Sequence, residues 1–252
     1  MVSGFRVSRI IYYAAAKLFA ASFTLLLFAF CIAGPSLYDM SELIGTRGIF
    51  ILLVPYAIGY SALADGAAHL IKKYKAAARF LLYLIGGHLP FLFVMGKYTV
   101  FTFMAGSVGS ICALIFLGAY SWIRRYPKHA AALSIVLTAA AAVLLTGDFT
   151  VKKGWTETRI SSSYEAEFAY FHGAHSIGVY AEAGDTVQYT IRWSASGGYG
   201  HHVLDDRGEY VAQSMDAENM YSFQANDSGY YSIVLTGDRL RGSFKIDWTL
   251  DR

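Results

Sequence analysis

The sequence predicts an α-helical membrane bundle of five transmembrane helices followed by an all-β antiparallel sandwich. Three observations predict it. Five apolar stretches fill residues 1–147, each close to the length that crosses a hydrocarbon core. Lys and Arg collect in alternate loops between those stretches, as they do on one side of a membrane. From Tyr164 onward apolar residues recur at every second position, the period of a strand with one buried face.

Composition sets the frame. The 252 residues are 55% hydrophobic and 15% charged, with a mean hydropathy of +0.39, whereas soluble domains carry about 25% charged residues. Residues 1–147 hold 12 Lys/Arg against 3 Asp/Glu, and residues 148–252 hold 9 against 15. The basic residues of the first half sit where membrane topology places them, so the charge gives no sign of a nucleic-acid partner. Cys31 and Cys112 both fall in apolar runs. The C-terminal domain therefore folds without disulfides and has no cysteine ligands for structural zinc.

Spans are expected at about residues 10–33, 49–71, 80–95, 100–123 and 130–146. The third and fifth are short and need snorkelling flanks or a thinned bilayer. Arg6 and Arg9 precede the first span. Lys72, Lys73, Lys75 and Arg79 separate the second from the third, and Arg124, Arg125 and Lys128 separate the fourth from the fifth. The opposite loops hold only Arg47 and Lys97. That bias places the N-terminus in the cytoplasm and the C-terminal domain outside the plasma membrane. Tyr12, Tyr13, Tyr120, Trp122 and Tyr126 fall near the inner interface, and Tyr38 and Tyr98 near the outer one. The first apolar run is longer than a signal-peptide core and no A-x-A site follows it. Phe28-Ala29-Phe30 also lacks the small residue that precedes a lipidated cysteine, so the run is read as a retained span.

Two charges interrupt the spans. Lys17 lies about 10 Å inside the first and Asp65 about 9 Å inside the second, at 1.5 Å per residue from the same membrane face. A lone charge there costs a few kcal/mol, so the two are expected to pair. A structural pair is preferred to an ion or proton relay, which needs more than two polar groups. His69 follows Asp65 by four residues, on the same helix face, but a metal site there lacks a third ligand. Gly86-Gly87-His88-Leu89-Pro90 breaks the third span; His69, His88 and Pro90 are its candidate pocket residues, against the plainer reading of a packed kink. In the fourth span Ala105, Gly106, Gly109 and Ser110 make a small-residue face, for packing within the bundle or for a homo-oligomer through Gly106 and Ser110.

Residues 148–159 read as a linker and 160–252 as the sandwich. Val187, Tyr189, Ile191 and Trp193 alternate with polar residues, as do Phe244, Ile246, Trp248 and Leu250. With Tyr231, Ile233 and Leu235, all of these except Leu250 are expected to face the core. Ala183-Gly184-Asp185, Ser196-Gly197-Gly198, Asp205-Asp206-Arg207-Gly208, Asn226-Asp227-Ser228-Gly229 and Gly237-Asp238 read as turns between six to eight short strands. His172 and His175 flank another such turn, and His201 and His202 point to opposite faces of a strand, so surface histidines are preferred to a metal site.

Three motifs carry a resemblance. Ala183-Gly184-Asp185-Thr186-Val187 looks like a G-D-x-V strand opening. Val203-Leu204-Asp205-Asp206-Arg207-Gly208 looks like a v-l-D-x-x-G hairpin, and 223–231 like F-x-A-x-x-x-G-x-Y. In this order they resemble the GOLD or emp24-like β-sandwich, and the pre-peptidase C-terminal type. The resemblance implies a domain that binds or presents rather than one that catalyses. Through Tyr60-Ser61 and Gly86-Gly87-His88 the bundle resembles uncharacterised four- and five-span membrane proteins of Gram-positive bacteria, from which no function follows.

No G-x-S-x-G, H-E-x-x-H, P-loop or dinucleotide-binding glycine motif occurs. No enzyme activity, cofactor or metal is expected. The function expected is a membrane-anchored sandwich that binds an extracellular protein or cell-wall ligand. The alternative is a small transporter or channel component capped by that domain.

Overall fold

A computed structural model gives the structure and describes residues 2–71, 73–216 and 220–251, with side chains from Ile10 onward. Lys72 and the side chains of Arg6 and Arg9, counted in the charge bias, lie outside the described residues. The chain divides into two compact units, Met1–Gly147 and Asp148–Arg252.

The first unit is helical: α1 (Val2–Ala33), α2 (Leu37–Gly45), α3 (Arg47–Ile51), α4 (Ala57–Leu70), α5 (Lys75–Met95), α6 (Val100–Ile123) and α7 (Pro127–Thr146). Among the described residues five helical stretches are long and apolar enough to cross a membrane: Ile10–Ala33, Arg47–Leu70, Lys75–Met95, Val100–Ile123 and Pro127–Thr146. The third and fifth are longer than the apolar runs alone suggest, because helix continues into the basic segment Lys75–Arg79 and back to Pro127, which suits a first helical turn. The second is continuous only through one π turn, Leu52–Tyr56. Pro55 lies inside it and cannot donate to the Ile51 carbonyl, and the wider turn absorbs that missing bond. The small helix α2 has no counterpart in the expected spans. It is capped by the Ser36 hydroxyl, which accepts from the Asp39 N–H at 3.2 Å, and buries Met40 and Ile44.

α1 packs on α6 and α7, and α5 packs on α4 and α6. The buried residues along α1 include Ala16, Ala20, Ala21 and Ala29, whose small side chains let its neighbours come close. Ser134 donates to the Ala15 carbonyl at 2.6 Å, and Ser22 and Thr138 lie 3.0 Å apart, so short hydroxyls tie α1 to α7.

The kink motif turns out to be a seam. Pro90 cannot donate to the Gly86 carbonyl, and the Tyr56 hydroxyl does so instead at 2.7 Å. Tyr60 donates to the Leu82 carbonyl at 2.8 Å and Ser110 to the Leu84 carbonyl at 2.7 Å. Ser110 has then used its one proton, so it accepts from His88 Nδ1–H at 2.6 Å, which sets the imidazole tautomer. A Cβ on Gly87 would strike the backbone of Gly109 and Ser110. The Gly106–Ser110 face offered for association between copies is thus covered by the chain's own α5. Gly87→Ala is expected to cost about 1–3 kcal/mol by forcing α5 off α6. Gly118→Ala, which meets nothing within 4 Å, should leave the detergent melting point unchanged. Equal melting of the two variants would refute the seam.

Among the described residues the second unit is one antiparallel sheet of eight strands: β1 (Val151–Lys153), β2 (Thr156–Ile160), β3 (Ser163–Ala181), β4 (Thr186–Leu204), β5 (Tyr210–Val211), β6 (Ser214–Met215), β7 (Tyr221–Gln224) and β8 (Gly229–Asp251). Its order is β1-β3-β8-β4-β7-β6, with β2 also on β3 and β5 also on β4. Two expectations are corrected. Residues 148–159 are not a linker: they hold β1 and most of β2, whose wholly exposed residues show no alternation to read. β4 and β8 are also longer than the short strands expected, because two glycine clusters read as turns are irregularities inside them. Gly197 and Gly242 have φ of +123° and +134°, Arg239 has +55°, and register slips between Ser196 and Gly198. A positive-φ residue serves a bulge as readily as a turn. His172 and His175 likewise lie within β3, around Gly173, rather than flanking a turn.

These irregularities explain how three strands of 19, 19 and 23 residues share one core. Along β3 the inward residues are Tyr164, Ala166 and Phe168, then Phe171, Ile177, Val179 and Ala181. Along β8 they are Tyr231, Ile233 and Leu235, then Leu240, Phe244, Ile246 and Trp248. Parity switches midway in both, so the two halves of each strand feed a single cluster. Of the expected core residues, Ile191 and Trp193 are only half-buried and pack on its margin; the other eight are buried.

Candidate functional site

In the helical unit Lys17 and Asp65 meet. Lys17 Nζ lies 2.8 Å from Asp65 Oδ2 and donates to the Tyr83 hydroxyl at 3.1 Å. Lys17 is 1% exposed and Asp65 13%. Tyr13 donates to the same carboxylate oxygen at 3.2 Å. The Lys17 ammonium also sits 3.8 Å from the centre of the Tyr120 ring, close enough for a cation–π contact. The two charges expected to pair are therefore within ion-pair distance, and a third group joins them. Arg79 Nη2 lies 2.6 Å from Asp65 Oδ1, an ion contact whose angle is not that of a hydrogen bond. By sequence Arg79 reads as a loop charge, because the first turn of α5, Lys75–Arg79, lies outside the apolar run. One carboxylate thus balances two cations.

The cluster forms one wall of a cavity of about 330 Å³, lined also by Tyr12, His69, Lys75 and Arg124. His69 stands over it with Nδ1 accepting from Lys75 Nζ at 3.1 Å. His88 and Pro90 belong elsewhere: His88 is in the α5–α6 seam, and Pro90 lines a separate cavity of about 300 Å³ between α1, α4, α5 and α6, walled almost wholly by apolar and aromatic side chains. The structure does not gather His69, His88 and Pro90 into one pocket.

In the sheet unit His172 is buried 3.3 Å from Asp238 Oδ1. His175 accepts from Lys152 at 2.8 Å beneath the edge of Trp155, and burial with that ammonium lowers its pKa to about 4. His201 stacks edge-on to Tyr221. Among the described residues no three His, Cys, Asp or Glu gather as a metal would need. Asp205 is used by its hairpin: Oδ1 accepts from the N–H groups of Arg207 and Glu209 at 2.9 and 2.7 Å.

That hairpin and the turn before β8 form a cleft of about 410 Å³. Asp205, Asp206, Glu209 and Asp227 line it with Arg207, and Tyr210 and Tyr230 are 78% and 66% exposed there. Tyr231, buried behind it, donates to the Asp227 carbonyl at 2.9 Å and accepts from the Asp227 N–H at 3.2 Å, which anchors the turn. By sequence Asp205, Asp206 and 226–229 read as turn chemistry; which tyrosines stand exposed beside them appears only in the fold, because tyrosines also fill the core.

No protein-family model and no curated protein matches the chain. A solved structure similar to part of it is the periplasmic lysozyme inhibitor of g-type lysozyme from Aeromonas hydrophila. The two are 15% identical, over 41% of this chain and 89% of that one, with a TM-score of 0.25, a likeness too slight to fix a fold.

Proposed function

We propose that the chain is a multi-pass plasma-membrane protein, N-terminus cytoplasmic, whose C-terminal unit is an extracellular β-sandwich that binds a protein or cell-envelope ligand. The observation that carries the binding reading is the cleft of Tyr210 and Tyr230 with its four carboxylates. Tyrosines held out in water give a partner rigid apolar area with a polar tip, at little entropic cost. The carboxylates favour a ligand that presents a cation. The orientation is supported by the basic residues Lys73, Lys75, Arg124, Arg125 and Lys128, which lie in, or in the first helical turn after, the two connections facing the same way as the N-terminus.

Intact cells bearing the full-length chain test both parts. Ser228→Cys should react with an impermeant thiol reagent and Lys75→Cys should be spared; the reverse pattern would overturn the orientation. A photoreactive residue in place of Tyr210 or Tyr230 should cross-link to a discrete partner. The same group in place of Arg192, 74% exposed outside the cleft, should not. Equal cross-linking at all three positions, or none, would remove the cleft as the binding surface.

A further inference from the structure

The cavity beside Asp65 is cationic. Its one carboxylate is already engaged by Lys17, Arg79 and Tyr13. Lys75 and Arg124, which also line it, have no carboxylate partner among the described residues. These cations come from separate elements, the first turns of α5 and the end of α6, and converge because α5 packs on α6. α5 starts at Lys75 with no side chain capping its first turn, so free N–H groups and the positive end of the helix dipole add to the same potential. Tyrosine rings at positions 12 and 13 complete the wall. At about 330 Å³ the space is at the small end of ligand pockets.

We propose that this cavity binds a phosphate-type anion, supplied as the headgroup of an anionic phospholipid. Phosphate ester oxygens match what the site offers: guanidinium forks, an ammonium and backbone N–H groups. Free phosphate offers the same oxygens. The lipid is favoured because Ile11, Leu70 and Tyr74, next to the lining residues along the chain, are 61%, 85% and 63% exposed and give acyl chains a surface. The lipid source rests on the membrane reading proposed above; the phosphate chemistry does not.

The test uses the purified full-length chain, delipidated in neutral detergent, titrated separately with phosphatidylglycerol, phosphatidylcholine and inorganic phosphate, with binding read by native mass spectrometry and by the shift in melting temperature. Phosphatidylglycerol should bind in preference to phosphatidylcholine. Lys75→Gln and Arg124→Gln leave the Asp65 pairs intact and should each weaken that binding about fivefold, the loss of one basic residue near a lipid surface. Arg124→Lys should retain most of it. Saturable binding of inorganic phosphate alone, weakened by the same variants, would keep the anion site and overturn the lipid as its source. Wild-type affinity in both Gln variants, or no preference for phosphatidylglycerol and no phosphate binding, would overturn the site. Cross-linking at Tyr230 would be untouched by that failure, so the two proposals fail separately.

Discussion

Phe244→Ala is expected to destabilise the sheet unit by about 3–5 kcal/mol, a large part of the stability of a domain this size. Phe244 is 1% exposed, and its ring lies within 6.0 Å of those of Trp155, Tyr164, Phe168 and Trp193. It therefore joins the edge strands to the middle of the sheet. Packed this tightly, the site has little room to collapse, and the cavity left behind adds to the lost transfer energy. Trp193→Ala should cost less than a fully buried tryptophan would, because Trp193 is half-buried on the margin of the core. Ile160→Ala, at 65% exposure, should change stability by no more than about 0.5 kcal/mol. Hydrogen exchange of β3 and β8 in the full-length chain reads all three. Protection in Phe244→Ala equal to that in Ile160→Ala would mean the parity assigned to the second half of β8 is wrong.

That parity shows where sequence reading reached its limit. Alternation over 187–193 and 244–248 identified inward positions, because period two is a local property of a strand with one buried face. Local alternation says nothing of whether two such runs belong to one strand. Gly197-Gly198 and Gly237-Asp238 carry the same residues whether the chain reverses or only bulges, and their facing each other across β4 and β8 appears only once the strands are paired. β1 and β2 were illegible for a different reason. They are edge strands with every residue exposed, held by backbone hydrogen bonds and a few side chains such as Trp155, so no hydrophobic pattern marks them.

In the bundle the division is similar. Lys17 and Asp65 were legible because an ionisable residue in an apolar span needs a partner and the helical rise gives its depth. Pro90 was legible as a break, but not that Tyr56, thirty positions away in chain order, would occupy the freed Gly86 carbonyl. Contacts between helices depend on which faces turn inward, and the near-uniform apolarity of a span hides that. Arg79 was misplaced because span boundaries read from hydropathy stop where charge begins, whereas helix α5 starts four residues before it.

Asp65→Leu is expected to be the most damaging single change in the bundle, at about 3–5 kcal/mol, because it strands a buried cation. Lys17 is 1% exposed and would keep the Tyr83 hydroxyl and the surrounding rings of Tyr13, Tyr83, Phe116 and Tyr120, but no counter-charge. Arg79, at 21% exposure, reaches water more readily and should tolerate the loss. Lys17→Met should cost less than Asp65→Leu, since the carboxylate retains Arg79 at 2.6 Å and the Tyr13 hydroxyl at 3.2 Å. A simple ion pair would give two equal single effects; the third member makes them unequal. Combining the two substitutions removes both buried partners, leaves Arg79 to solvent and should recover much of the loss. The coupling between the two sites should then fall in the range of about 0.5–3 kcal/mol found for contacting residues. The measurement is the melting temperature and folded yield of the four proteins, wild type included, in the same detergent. Strict additivity would mean that Lys17 and Asp65 do not interact, and a loss in Lys17→Met as large as that in Asp65→Leu would remove Arg79 from the cluster.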